Sequence, residues 1–128
     1  MEGRREARER ALELLYEAEI KDTSSVELIS ALPVAPDAYS VQLAEGVDEH
    51  RVEIDDLLRD HARGWSLERM PAVDRALLRL ATYELLHQQE VPVGVVISEA
   101  VELASEFSTD DSGRFVNGVL SAIAKQRG

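Results

Sequence analysis

At 128 residues, 45% of them hydrophobic, the chain is long enough for one domain with a real core and too short for two comfortable ones. A formal net charge of −11 argues against broad, nonspecific affinity for nucleic acid, and the absence of cysteine excludes disulfides, a thiol nucleophile and a thiolate metal site. No apolar run approaches the roughly 18 residues of a membrane span, and the charged start MEGRREARER has no leader-like core behind it, so a reducing cytoplasm is the expected setting.

Helical periodicity dominates, with no alternating strand pattern of useful length. The first predicted helix, about 4–21, carries Ala7, Ala11, Leu14, Leu15 and Ala18 on one stripe. Its start is locally basic: Arg4, Arg5, Arg8 and Arg10 stand against Glu2, Glu6 and Glu9, a net of +1 over residues 1–10 that leaves −12 for the rest. Such a cluster suits either a confined polyanion contact or a surface ion-pair network. Leu12, Tyr16 and Ile20 lie with Arg5 and Arg8 on a second flank, which either packs inside a bundle or faces a partner.

Ser24 with Glu27 forms a capping box for a short helix ending near Leu32, after which Pro33 and Pro36 break the chain. A long amphipathic helix is predicted from Asp37 to about Ala62, with Leu43, Val47, Ile54, Leu57 and Leu58 inward and Gly64 as its stop. A short helical turn follows GWS, and Pro71 opens the next helix. That helix, PAVDRALLRLATYELLHQ, is apolar around much of its circumference and is expected to be the central one. EVPVG is a loop, VVISEAVELASEF a further helix, and STDDSG offers several N-caps for the last. The fold class is therefore all-α: a single compact bundle of about seven helices in one domain, residues 1–128.

Catalysis finds little support. His50 and His61 share a face of the predicted long helix but lie roughly 16 Å apart, too far to hold one metal. His87, at a helix end, complements the carbonyl dipole. There is no phosphate-binding glycine loop, serine elbow or zinc spacing, so neither a catalytic residue, a metal site nor a cofactor is assigned.

The last helix is more informative. Val116, Val119, Leu120 and Ile123 form its inner stripe, with Phe115 at the edge, Asn117 pointing away and Gly118 on a flank. A mid-helix glycine costs about 1 kcal/mol relative to alanine. Close helix packing is one explanation and the approach of a bound chain the other. Phe115 beside Arg114 and Asn117 offers a stacking face, a cation and an amide, the means by which single-stranded RNA is held.

Together, Ala72 to Leu120, from AVDRALLRLATYELLHQ through VPV and STDDS to FVNGVL, and the basic opening RREARERALELLYEAE are similar to the NusB family of transcription antitermination factors. The resemblance covers nearly the whole chain, with residues about 22–60 its least specific part. It implies an all-helical fold in two subdomains, about 1–64 and about 65–128, and a non-enzymatic role: pairing with ribosomal protein NusE, binding boxA-type RNA, and assembling an antitermination complex on RNA polymerase, notably during ribosomal RNA transcription. By position, the resemblance puts Arg4, Arg5, Arg8, Asp111, Ser112, Arg114 and Phe115 along the RNA, and Tyr16, Asp74 and Arg79 against NusE. Arg79 has an alternative use in pairing with acids inside the bundle. The basic arm here is short and interleaved with glutamate, so NusE is expected to supply further RNA contacts. Self-association through the second flank of the first helix, a protein-only adaptor, and the NusB-like domain of a ribosomal RNA cytosine methyltransferase are the competing expectations.

Overall fold

Apolar spacing near the helical period, punctuated by Pro33, Pro36, Pro71 and Pro92, gives seven α-helices and one 3₁₀ turn among the described residues. The computed structural model describes residues 4–62 and 64–127; Glu2 of the charge cluster and Gly128 lie outside them. The helices are α1 (Arg5–Ile20), α2 (Ser25–Ser30), α3 (Ala38–Glu49), α4 (Arg51–His61), α5 (Ala72–His87), α6 (Val93–Phe107) and α7 (Asp110–Arg127), with the 3₁₀ turn at Leu67–Arg69. No strand occurs among the described residues.

Local chemistry starts several of these helices where the sequence reading puts them. The Ser24 hydroxyl accepts from the Glu27 amide at 3.0 Å to cap α2, and the Asp37 carboxylate accepts from the Ser40 amide at 3.0 Å to cap α3. The Ser40 hydroxyl, which also donates to Asp37, together with that amide bond holds the Asp37 carboxyl below its usual range. Ser40 also donates to the Ala7 carbonyl at 3.0 Å, tying the start of α3 to α1.

The expected single helix over about 37–62 is two. It breaks at His50 (φ −108°, ψ 22°), and the corner lets α4 turn back onto both α5 and α7. Beside the break, Gly46 lies against the Tyr83 ring so closely that a Cβ there would sit 2.3 Å from the ring. Only a residue without a side chain allows that approach.

The central role expected of α5 holds: it packs against α1, α3, α4, α6 and α7. Leu77, Leu78, Leu80 and Leu85 are all but removed from solvent, each gaining about 1.5–3 kcal/mol over an exposed side chain. Into this core α1 inserts Ala11, Leu14, Leu15 and Ala18, and α7 inserts Val116, Val119, Leu120 and Ile123. Both stripes are those read from the periodicity.

Candidate functional site

The start of α7 builds a cleft from several elements. The Thr109 hydroxyl accepts from the Ser112 amide at 3.0 Å, capping the helix. The Ser112 hydroxyl, itself buried, donates to Asp74 Oδ2 of α5 at 2.8 Å. Asp74 is only 4% exposed, and its Oδ1 has no hydrogen-bond partner. Around this pair, Trp65, Met70, Pro71, Ser108, Thr109, Asp111 and Phe115 enclose a cavity of about 460 Å³. Phe115 is half-buried and meets Trp65 at 5.9 Å between ring centroids, inclined by 55°. Arg114 is exposed and ion-paired with exposed Asp111 one turn earlier. The cleft thus combines two aromatic faces, a buried carboxylate and a cation on one short surface. Trp65, which the sequence reading left in a connecting turn, is its unforeseen member.

Asn117 and Gly118, one turn along, both face solvent, and Asn117 Oδ1 accepts from Ser121 Oγ at 3.2 Å. A Cβ built on Gly118 would meet nothing within 4 Å. Close packing against another helix is therefore not what requires this glycine.

The arginines of α1 have three different fates. Arg4 stacks over the Tyr39 ring at 4.1 Å and lies 3.8 Å from Glu90. Arg5 is surrounded by carboxylates: Glu9, Glu99, Glu106 and, at 2.7 Å, Glu102. The hydrogen bond to Glu102 raises its pKa above the ordinary value despite partial desolvation. Arg8, expected at RNA phosphates, turns inward instead. It is 1% exposed and forms a bidentate pair with Glu84 of α5, with Nε and Nη2 each 2.9 Å from a carboxylate oxygen. The Tyr39 hydroxyl donates to the same carboxylate at 2.8 Å, and burial together with Glu84 pushes its phenol pKa well up. Arg8 is held in the core because Glu84 is there to neutralise it.

The second flank of α1 is partly open. Leu12 is buried, but Tyr16 and Ile20 are 40% and 62% exposed. Tyr16 borders a shallow groove with Glu9, Leu12, Glu13, Val73 and Phe107. Phe107, the last residue of α6, is 42% exposed. The three residues expected to face a protein partner have different immediate neighbours. Tyr16 lies in this groove and Asp74 faces Ser112, whereas Arg79 is bound to Asp55 at 2.8 Å and to Glu19 at 3.3 Å. Arg75 also clasps Glu19, and that hydrogen bond depresses the Glu19 carboxyl pKa. Arg79 thus takes its alternative use, pairing with acids within the bundle.

His50, set apart from His61 by spacing along the predicted helix, meets His87, which the sequence reading assigns only to complementing a helix end. His50 at the α3–α4 corner stacks on His87 at the end of α5, with ring centroids 3.9 Å apart, and Glu53 reaches both. Among the described residues these three form the one group of nitrogen and oxygen donors close enough to share a metal ion.

Among the described residues this is an all-helical bundle, with aromatic and ionic groups gathered at the start of α7. The sequence profile of the NusB family matches residues 5–125, and the chain belongs to that family. It is 53% identical to the transcription antitermination protein NusB of Saccharopolyspora erythraea over 130 aligned positions, covering 97% of this chain and 88% of the relative. The relative is named for its part in transcription, not for a catalysed reaction. Among solved structures, the fold is similar to T. maritima NusB (TM-score 0.86, 36% identity, 96% of this chain and 91% of that one). It is also similar to a chain in a complex of antitermination factors NusB and NusE with double-stranded RNA (TM-score 0.84, 31% identity, 98% of each chain). No helix among the described residues is long and apolar enough to cross a membrane.

Proposed function

We propose that this protein binds boxA-type RNA jointly with ribosomal protein NusE and so helps assemble an antitermination complex on RNA polymerase, notably on ribosomal RNA genes in the cytoplasm. The observation that carries this reading is the end-to-end fold similarity to a chain from the NusB–NusE–RNA complex. The RNA strip is assigned to Arg4, Arg5, Asp111, Arg114 and Phe115: phosphates meet the arginines and a base stacks on Phe115. Arg8 and Ser112 serve it from beneath, Arg8 by fixing α1 against Glu84 and Ser112 by fixing the start of α7 against Asp74. NusE is assigned to the groove of Tyr16 and Phe107, whose exposed apolar surface suits a protein partner. A second copy of the chain would compete for that groove. The two subdomains are taken as residues 1–64 and 65–128, with α5 as the core shared between them.

The test is fluorescence anisotropy of a labelled boxA-type RNA with and without NusE at two salt concentrations. Salt-sensitive binding that tightens with NusE and fails on a scrambled RNA is the expected result. Binding of NusE with no effect on any RNA would instead assign the chain as a protein-only adaptor.

A further inference from the structure

We propose that His50, Glu53 and His87 form a binding site for a divalent transition-metal ion of the zinc type. Three observations carry it. The first is donor chemistry: two imidazoles and one carboxylate are a set that zinc accepts, with the remaining position left to water. The second is spacing. Glu53 Oε1 lies 3.0 Å from His87 Nε2 and 3.6 Å from His50 Nδ1. Donors about 2.0–2.1 Å from a tetrahedral zinc stand about 3.3 Å from one another, and these two separations bracket that value. The three donor atoms all lie within 4.8 Å of one another, so a modest turn of the stacked imidazoles would bring both lone pairs to a common point. Both rings are about one-third exposed, which leaves them room to turn.

The third observation is the backbone around the site. His50 terminates α3 and His87 is the last residue of α5, so the carbonyl ends of two helices converge on this spot. Helix C-termini carry partial negative charge and favour a cation there. Glu53, in the first turn of α4, adds a full negative charge where the positive end of that helix would otherwise repel a cation. The Tyr83 ring lies beside both imidazoles, 5.9 Å from His50 and 5.4 Å from His87 between centroids, and walls the site on its inner side. A metal held here would pin the α3–α4 corner to the end of α5. It would therefore act on the rigidity of the bundle, away from the cleft at the start of α7.

Isothermal titration of untagged protein with zinc chloride, paired with thermal unfolding, tests this. One equivalent should bind, with a zinc-dependent rise in Tm. His50→Gln and His87→Gln should each weaken binding by at least about 10–100-fold, the loss that follows even from removing an outer-shell partner of a metal ligand. His61→Gln should bind like the parent chain, and magnesium, which prefers oxygen donors, should not replace zinc. All variants are compared by circular dichroism without metal, so misfolding is seen separately. Zinc binding that survives both substitutions would assign the ion to the acidic surface and overturn the proposal. So would the absence of any saturable binding to the parent chain at submillimolar zinc.

Discussion

Gly118 sits in the middle of α7, exposed, with open space where a side chain would project. Nothing in the bundle needs a glycine there, yet glycine weakens a helix by about 1 kcal/mol relative to alanine. Gly118→Ala should therefore stabilise the protein by about 0.5–1 kcal/mol, read as a higher denaturation midpoint with unchanged slope. If the glycine is kept for the close passage of RNA, the same substitution should weaken RNA binding in the presence of NusE. A more stable variant with undiminished RNA affinity would remove Gly118 from the RNA path. Phe115 makes the complementary prediction. Its ring is half-buried against Trp65, so Phe115→Ala should cost RNA binding about 1–3 kcal/mol through the missing stack, with little change in salt dependence.

Between elements, buried and part-buried ion pairs join α1 to α5. Arg8→Ala leaves the Glu84 carboxylate buried without its bidentate partner, the Tyr39 hydroxyl still donating to it, and should destabilise the fold by about 3–5 kcal/mol in chemical denaturation. RNA affinity should fall only as far as the folded fraction falls, which separates this arginine from Arg5. The clasp of Arg75 and Arg79 on Glu19 predicts a pH dependence. Because the Glu19 pKa is lower folded than unfolded, its contribution is complete above the unfolded carboxylate pKa and is lost as pH falls through the folded value. Glu19→Gln should flatten that part of an acid-unfolding curve, measured by circular dichroism.

The same pair of helices shows what periodicity can and cannot reveal. The inner stripes of α1 and α7 and the centrality of α5 were legible because burial along a helix repeats with its turn. The break at His50 was not. Val47 and Ile54 are two turns apart across it, so the apolar stripe continues in phase, no proline marks the corner, and Gly46 lies a full turn before it. The inward turn of Arg8 was hidden for a related reason: its partner lies 76 positions along the chain. The meeting of His50 with His87 and the place of Trp65 beside Phe115 are equally nonlocal. Of the resemblance-based assignments, Asp111, Ser112 and Phe115, given to RNA, and Asp74, given to NusE, line one cleft.

Across the whole molecule, a charge of −11 opposes RNA, so a confined cationic strip has to act against the field of its own protein. Arg5 makes this concrete, since four glutamates of α1 and α6 lie within reach of its guanidinium. Salt weakens those internal pairs as well as any phosphate contact, so binding by the isolated chain should be weak. With NusE present, Arg5→Ala or Arg114→Ala should reduce the slope of log affinity against log salt by about 0.7 for each phosphate that is no longer neutralised. An unchanged slope in both variants would place the phosphates elsewhere.

The Arg8–Glu84 pair also bears on how the protein is made. The amino-terminal helix leaves the ribosome first, carrying an arginine meant for the interior, while the carboxylate that neutralises it lies 76 positions later. At about 5–20 residues per second, synthesis takes about 4–15 s to deliver that partner. During this interval α2 and α3, which also pack on α1, can cover part of its apolar stripe, but the carboxylate that neutralises Arg8 is not yet there. A variant that loses this pair therefore loses a contact that only the later half of the chain can supply.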